Sequence, residues 1–220
     1  MRTPNPEYSE GMRESWHIDN TDNAVSFKIR HESFLLLHSI SAHEDAVVKA
    51  YSPLFLHQIH SSDIIKIDHD SVRTGDGLLT QQTGCAVGIK IADCLPVFLF
   101  NATAVCIIHC GWRGIINGIA QRAAVLMNKY EYALGACIGS CCYEVGVDVA
   151  RQFTIHYPSA IVTRDHRFFL DLKAAVRHDL GMDYEVASLD LCTYCHPQYF
   201  YSYRRGDRTL RNYACIMKTK

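Results

Sequence analysis

Residues 86–130 read AVGIKIADCLPVFLFNATAVCIIHCGWRGIINGIAQRAAVLMNKY. Three short apolar runs, Ala86 to Ile91, Pro96 to Phe100 and Ala104 to His109, are each bounded by turn-forming residues and predict strands. Behind Gly114 the period changes. Ile115, Ile119, Ala123 and Leu126 recur at helical spacing, which predicts an amphipathic helix from Ile115 to Tyr130. Strands that run through a glycine-rich turn into a helix make this an α/β chain.

The flanks extend the pattern. Ala24 to Ile29, Phe34 to Ile40, Leu54 to Ile59 and Ile64 to Ile67 read as strands upstream. Downstream, Ala133 to Ile138 reads as a buried strand, Gly146 to Tyr157 as a helix and Phe168 to Leu170 as a strand. Leu172 to Leu180 reads as a further helix and Asn212 to Met217 as a closing strand. These elements follow no regular βαβ period, so the expected fold class is mixed α/β. Residues 1–23 are polar and poorly patterned, and residues 24–220 are expected to form a single domain.

Composition narrows the function. The 22 basic and 23 acidic residues give a net charge of -1, so no global field draws nucleic acid or an anionic membrane. Any phosphate must be bound locally. No apolar run approaches the roughly 20 residues that span a bilayer, and the start of the chain, with Pro4, Pro6, Glu7, Glu10 and Asp19, does not resemble a signal peptide. A cytoplasmic protein is expected. The ten cysteines fall largely inside apolar runs, which favours reduced thiols over a disulfide framework.

Three constellations carry chemistry. His57-Gln58-Ile59-His60 closes an apolar run; an extended chain would point His57 and His60 to opposite faces, leaving His60 as the better ligand. Surface or core-capping histidines are the alternative. In Asp93-Cys94-Leu95-Pro96, Pro96 is expected to break the ladder between two strands and display Asp93 and Cys94. Cys94 there is a nucleophile, a metal ligand or a packed thiol. His109-Cys110-Gly111-Trp112-Arg113-Gly114 joins strand to helix; the amides of the helix start, with Gly114, form an anion site that the Arg113 fork could complete. Together His60, Cys94 and His109 supply two imidazoles and a thiolate, a set suited to zinc or copper rather than magnesium or calcium. Three protein ligands leave a fourth position open, as in catalytic zinc sites. Cys141, Cys142, Cys192 and Cys195 include one C-x-x-C but no second, and read as packing residues. The crowded Arg204, Arg205, Arg208 and Arg211 read as a solvated face, with an anionic ligand site as the alternative. One metal ion is therefore expected.

From about residue 53 to 217 these motifs stand in one order: Gly75-Asp76-Gly77-Leu78-Leu79-Thr80, Ala92 to Pro96, His109 to Gly114, Gly139 to Gly146, Leu191 to Cys195 and Tyr201 to Arg205. That series resembles the YfiH-like family, also labelled multicopper polyphenol oxidase, laccase-domain protein or peptidoglycan editing factor. The resemblance implies a single-domain α/β sandwich with a mixed sheet, similar to that of bacterial toxin cysteine hydrolases, and a catalytic metal held by His60, Cys94 and His109. It further implies a purine nucleoside phosphorylase that also deaminates adenosine. The expected cofactor is one zinc ion, with copper second, and the expected partners are a nucleoside and phosphate. Asp93 and Glu144 are the candidates for acid, base or substrate contact. The family's Thr-Arg-x-Gly-Gly-type segment is absent before His57, with Lys28, Arg30 and His31 the residues available in its place. Competing readings are a metal-free hydrolase with Cys94 as nucleophile and His109 as base, copper-dependent phenol oxidation, peptidoglycan-precursor editing, and a non-catalytic interaction module.

Overall fold

A computed structural model describes residues 16–19, 26–30, 33–39, 49–67 and 73–220. In chain order their elements are β1 (His17–Asp19), β2 (Ser26–Arg30), β3 (Phe34–Ser39), β4 (Leu54–Phe55), β5 (Ile64–Lys66), β6 (Gly77–Thr80), β7 (Ala86–Ile91), β8 (Leu95–Phe100) and β9 (Val105–Cys110). There follow α1 (Trp112–Ile116), α2 (Ile119–Met127), β10 (Glu131–Leu134), β11 (Glu144–Val145), α3 (Val147–His156), β12 (Ile161–Arg164), β13 (Arg167–Leu170), α4 (Leu172–Leu180), β14 (Glu185–Ser188) and β15 (Asn212–Lys218). One six-stranded sheet has the order β1-β2-β3-β15-β7-β4, a second the order β14-β10-β8-β9-β6-β5, and a small third sheet the order β11-β13-β12. Pairing is antiparallel except for β4 with β7, β5 with β6 and β10 with β14.

The second large sheet is the middle layer. Along β8 and β9, side chains alternate between its two faces. Leu95, Val97, Leu99, Cys106, Ile108 and Cys110 share a core with Ile119 and Ala123 of α2 and Val176 of α4. Phe98, Phe100, Val105 and Ile107 pack instead against Val87, Ile89 and Ile216 of the other sheet. Strands covered on both faces have no polar side, which is why their sequence is continuously apolar. Each fully buried large side chain here contributes about 1.5–3 kcal/mol of hydrophobic stabilisation.

Several expectations change in detail. Pro96 does not break the ladder: it lies inside β8, opposite His109 on β9, and its carbonyl accepts from Gly135 just past the end of β10. The chain turns earlier, at Ala92 to Cys94. The single helix expected from Ile115 is two, and the first starts at Trp112. They part at Gly118, whose φ of 80° no β-carbon-bearing residue adopts without strain. The run from Leu54 to Ile59 is a strand only at Leu54–Phe55, because beyond it the chain bends away to build the site. The strand expected from Ala133 to Ile138 is β10, ending at Leu134. Within the segment read as unpatterned, β1 pairs antiparallel with β2, since a short edge strand needs only main-chain partners. Residues 1–15 and 20–23, His31 and the side chain of Arg30 lie outside the described residues; Lys28 stands in β2 opposite Leu37. No helix among the described residues is long and apolar enough to cross a membrane.

Candidate metal centre

The centre forms at one end of the middle sheet, around a carboxylate that sequence reasoning assigned no role. Asp76, between Gly75 and Gly77 ahead of β6, is fully buried. One oxygen accepts the N–H groups of Ile59 (3.1 Å) and Ser61 (2.6 Å) and the Ser61 hydroxyl (3.0 Å). The other accepts the His60 N–H (3.0 Å) and His109 Nδ1–H (2.8 Å). A carboxylate so surrounded stays ionised. Burial alone would raise its pKa, but the His109 bond and charge and the Ser61 and Ile59 amides hold it at about 2.

Asp76 thereby positions two of the three candidate ligand residues. Three successive amides converging on it hold His60 in the left-handed region, at a φ of 60°, a conformation that costs about 1 kcal/mol or more for a non-glycine residue. The bond to Nδ1 fixes the His109 ring and tautomer and leaves Nε2 for the centre. His109 reaches that place through strand alternation, because its neighbours Ile108 and Cys110 point into the helix-side core.

Cys94 completes the group from the turn between β7 and β8. Its Sγ and the ligand nitrogens of His60 and His109 all lie within 4.8 Å of one another. The two imidazoles meet edge to face with centroids 4.9 Å apart. At Gly111 a β-carbon would stand 3.1 Å from Cys94 Sγ and 3.3 Å from His60 Cδ2, so only a glycine lets the main chain pass this close without displacing the group. Burial pushes the Cys94 thiol up, yet the charges and hydrogen bonds of His109 and His60 outweigh it and bring the thiol down to about 6. Burial likewise disfavours charge on His109, but Cys94 and Asp76 together raise it to about 9. A tetrahedral ion with bonds of about 2.0–2.3 Å needs its ligand atoms roughly 3.3–3.8 Å apart. Two nitrogens and one sulfur within 4.8 Å of one another are of the type and near the spacing that such an ion needs. His109 is buried, Cys94 half-buried and His60 exposed, so the group faces solvent on the His60 side.

The other expected residues are distributed around this centre. Asp93 has a φ of 89° and both carboxylate oxygens engaged, one by the Thr193 hydroxyl (2.7 Å) and the other by the Arg204 N–H (2.8 Å). It ties the Cys94 turn to two distant loops. Arg113 is exposed within α1, its guanidinium 4.5 Å from the Trp112 ring centroid. Gly114 is buried, and a β-carbon there would stand 3.1 Å from the Ser61 carbonyl oxygen. Glu144 bridges to Arg167 at 3.1 Å in a cleft of about 490 Å³ that Arg164 and Arg204 also line. His57 is exposed and pairs through its main chain with Thr74.

The four remaining motif cysteines are not simple packing residues. Cys141, Cys142, Cys192 and Cys195 present thiols that all lie within 4.8 Å of one another, with Cys141 and Cys195 exposed. Cys142 and Cys192 touch the core edge. A Cys-Cys pair and a C-x-x-C pair some fifty residues apart gave no recognisable spacing, and the tertiary fold brings them together.

Comparison with known proteins identifies the family of the chain. A purine nucleoside phosphorylase of Xylella fastidiosa is 33% identical over 180 residues, covering 72% of this chain and 69% of that protein. The purine nucleoside phosphorylase YfiH of Shigella flexneri is 29% identical over 173 residues, covering 72% of this chain and 71% of its own. The crystal structure of a Bacillus licheniformis protein, YfiH, superposes with a TM-score of 0.79 at 21% identity, covering 91% of this chain and 98% of the other, and so shares the fold. Residues 38–219 match the family described as multi-copper polyphenol oxidoreductase laccase. Because that match takes in every strand of the middle sheet and all three residues of the centre, and because a relative 33% identical covers 72% of the chain, the chain belongs to this YfiH-like laccase-domain family.

Proposed function

We propose that the protein is a zinc-dependent purine nucleoside phosphorylase that also deaminates adenosine. The observation that carries this reading is the His60, Cys94 and His109 donor set, open to solvent on one side, in a chain whose relatives bear the name purine nucleoside phosphorylase. When bound there, the ion supplies Lewis acidity and a fourth position for water or substrate. Cys94 is well suited to hold it because its thiol is readily ionised where it stands. Asp76 aims the His109 imidazole through Nδ1 and holds the His60 main chain, and Asp93, with both oxygens occupied, acts as a positioning residue for the Cys94 turn. Arg113 offers inorganic phosphate a planar, doubly donating fork on the rim beside the His109 turn. Glu144, exposed among arginines, is the remaining candidate for a substrate contact.

Purified protein is expected to convert adenosine and inosine to free base and ribose 1-phosphate when phosphate is supplied, and adenosine to inosine without it. Removing the metal, or changing His60 to Ala, should abolish both reactions. Full activity in protein shown by elemental analysis to be metal-free would overturn the reading. It would promote the alternative that the Cys94 and His109 pair favours, a cysteine hydrolase, which alkylation of Cys94 would then inactivate. Copper in place of zinc would revive phenol oxidation. Against that stands the second donor cluster among the described residues, which is all thiol and holds no histidine.

A further inference from the structure

We propose that Cys141, Cys142, Cys192 and Cys195 form a second metal site, a four-thiolate zinc site that clamps two loops together beside the first centre. This goes beyond the nucleoside reading and does not depend on it. Geometry comes first. The Sγ atoms of Cys142 and Cys195 are 3.3 Å apart and those of Cys141 and Cys195 3.8 Å, with all four within 4.8 Å. A tetrahedral zinc with bonds of about 2.3 Å to sulfur sets its ligands about 3.8 Å apart. Consecutive cysteines would face opposite ways in an extended chain. Here Cys142 N–H and Tyr143 N–H both return to the Gly139 carbonyl, and that turn swings both thiols to one side.

At Cys192 the surroundings match a metal-bound thiolate better than a neutral packed thiol. The Gly139 N–H donates to Cys192 Sγ at 3.2 Å, and the amides of Tyr194 and Cys195 also point at that sulfur. Amides directed at the first sulfur of a C-x-x-C turn stabilise negative charge on it. Four thiols that bind Zn²⁺ release four protons and leave a site of net charge -2. Arg164 stands ready to balance part of it, donating to the carbonyls of Ser140 and Cys141, while Arg205, itself paired with Asp207 at 2.7 Å, braces the other loop by donating to the carbonyls of Thr193 (2.9 Å) and Tyr194 (3.1 Å). Sulfur-only ligation selects zinc over the harder divalent ions. The site also has mechanical reach. Thr193, between the two C-x-x-C ligands, bonds the Cys137 carbonyl through its N–H and Asp93 through its hydroxyl, so the clamp extends to the residue before Cys94.

The test is zinc stoichiometry in protein prepared under reducing conditions with zinc supplied. The wild-type chain is expected to hold about two zinc ions. The His60→Ala/His109→Ala variant should hold about one, and on cobalt substitution that ion should give the intense near-ultraviolet charge-transfer bands of a four-thiolate site. Cys192→Ser/Cys195→Ser should fall from about two to about one and melt at a lower temperature. Should the cysteine variant fail to fold, the histidine variant decides the matter alone. Less than half a zinc on it would overturn the proposal. So would a Cys142–Cys195 disulfide found by mass in the reduced preparation, or four thiols that a thiol reagent titrates as readily in wild type with zinc as without.

Discussion

At the scale of single residues, Asp76 governs the centre. It holds His60 through the main chain and His109 through the ring, so Asp76→Asn, which keeps the size but loses the charge, should weaken zinc retention by about 10- to 100-fold. Competition with a zinc chelator measures this, and unchanged retention would remove the positioning role. His60→Ala and His109→Ala are each expected to lose the centre's ion and the activity together, whereas His57→Ala keeps both, since His57 is engaged only through its backbone and faces solvent. Elemental analysis and nucleoside assays separate these two neighbours. For Arg113, loss of a charge-assisted, two-pronged contact is expected to weaken phosphate use by about ten- to a hundredfold in Arg113→Ala and by less in Arg113→Lys, with deamination spared. Equal losses in both reactions, accompanied by a lower melting temperature, would assign Arg113 to its stack on Trp112 instead.

At the scale of elements, the break between α1 and α2 is the feature whose cost is most easily read. Gly118 sits in the left-handed region and donates its N–H to the Ile115 carbonyl. Gly118→Val forces a branched side chain into that conformation and should cost about 1–2 kcal/mol. Urea unfolding would register it, and a variant as stable as wild type would show that the turn relaxes freely. Legibility in sequence followed packing. β7, β8 and β9 were readable because they are buried in the interior and their composition is dominated by that burial. α4 was readable because its apolar spacing, the Asp171 side chain capping the Ala174 N–H and Gly181 at its end all agree. β6, β11, β12 and β14 are four residues or fewer, and pairing partners from elsewhere in the chain hold them, so their own composition says little.

At the scale of the whole molecule, the three residues of the centre come from the segment after β4, the turn before β8 and the end of β9, so a bound ion links elements of both large sheets. At a free-ion level a thousandfold above its dissociation constant, such binding stabilises the fold by about 4 kcal/mol, worth roughly 10 °C in melting temperature for a chain of this size. The His60→Ala/His109→Ala variant, which lacks that ion, should melt lower by about that much with zinc supplied, and a transition that does not move would mean the ion is held without supporting the fold. By itself the sequence determined the mixed α/β class, the interior strands, the family resemblance and the naming of His60, Cys94 and His109 as candidate soft donors, because hydrophobicity and donor chemistry are properties a residue carries with it. Only the tertiary structure decided what depends on residues remote in sequence. Asp76 bonds Ile59 and His109 across 17 and 33 positions, and Cys142 meets Cys195 across 53. Contacts of that kind follow from how the sheets are stacked and where their loops turn, and no local pattern in the chain records them.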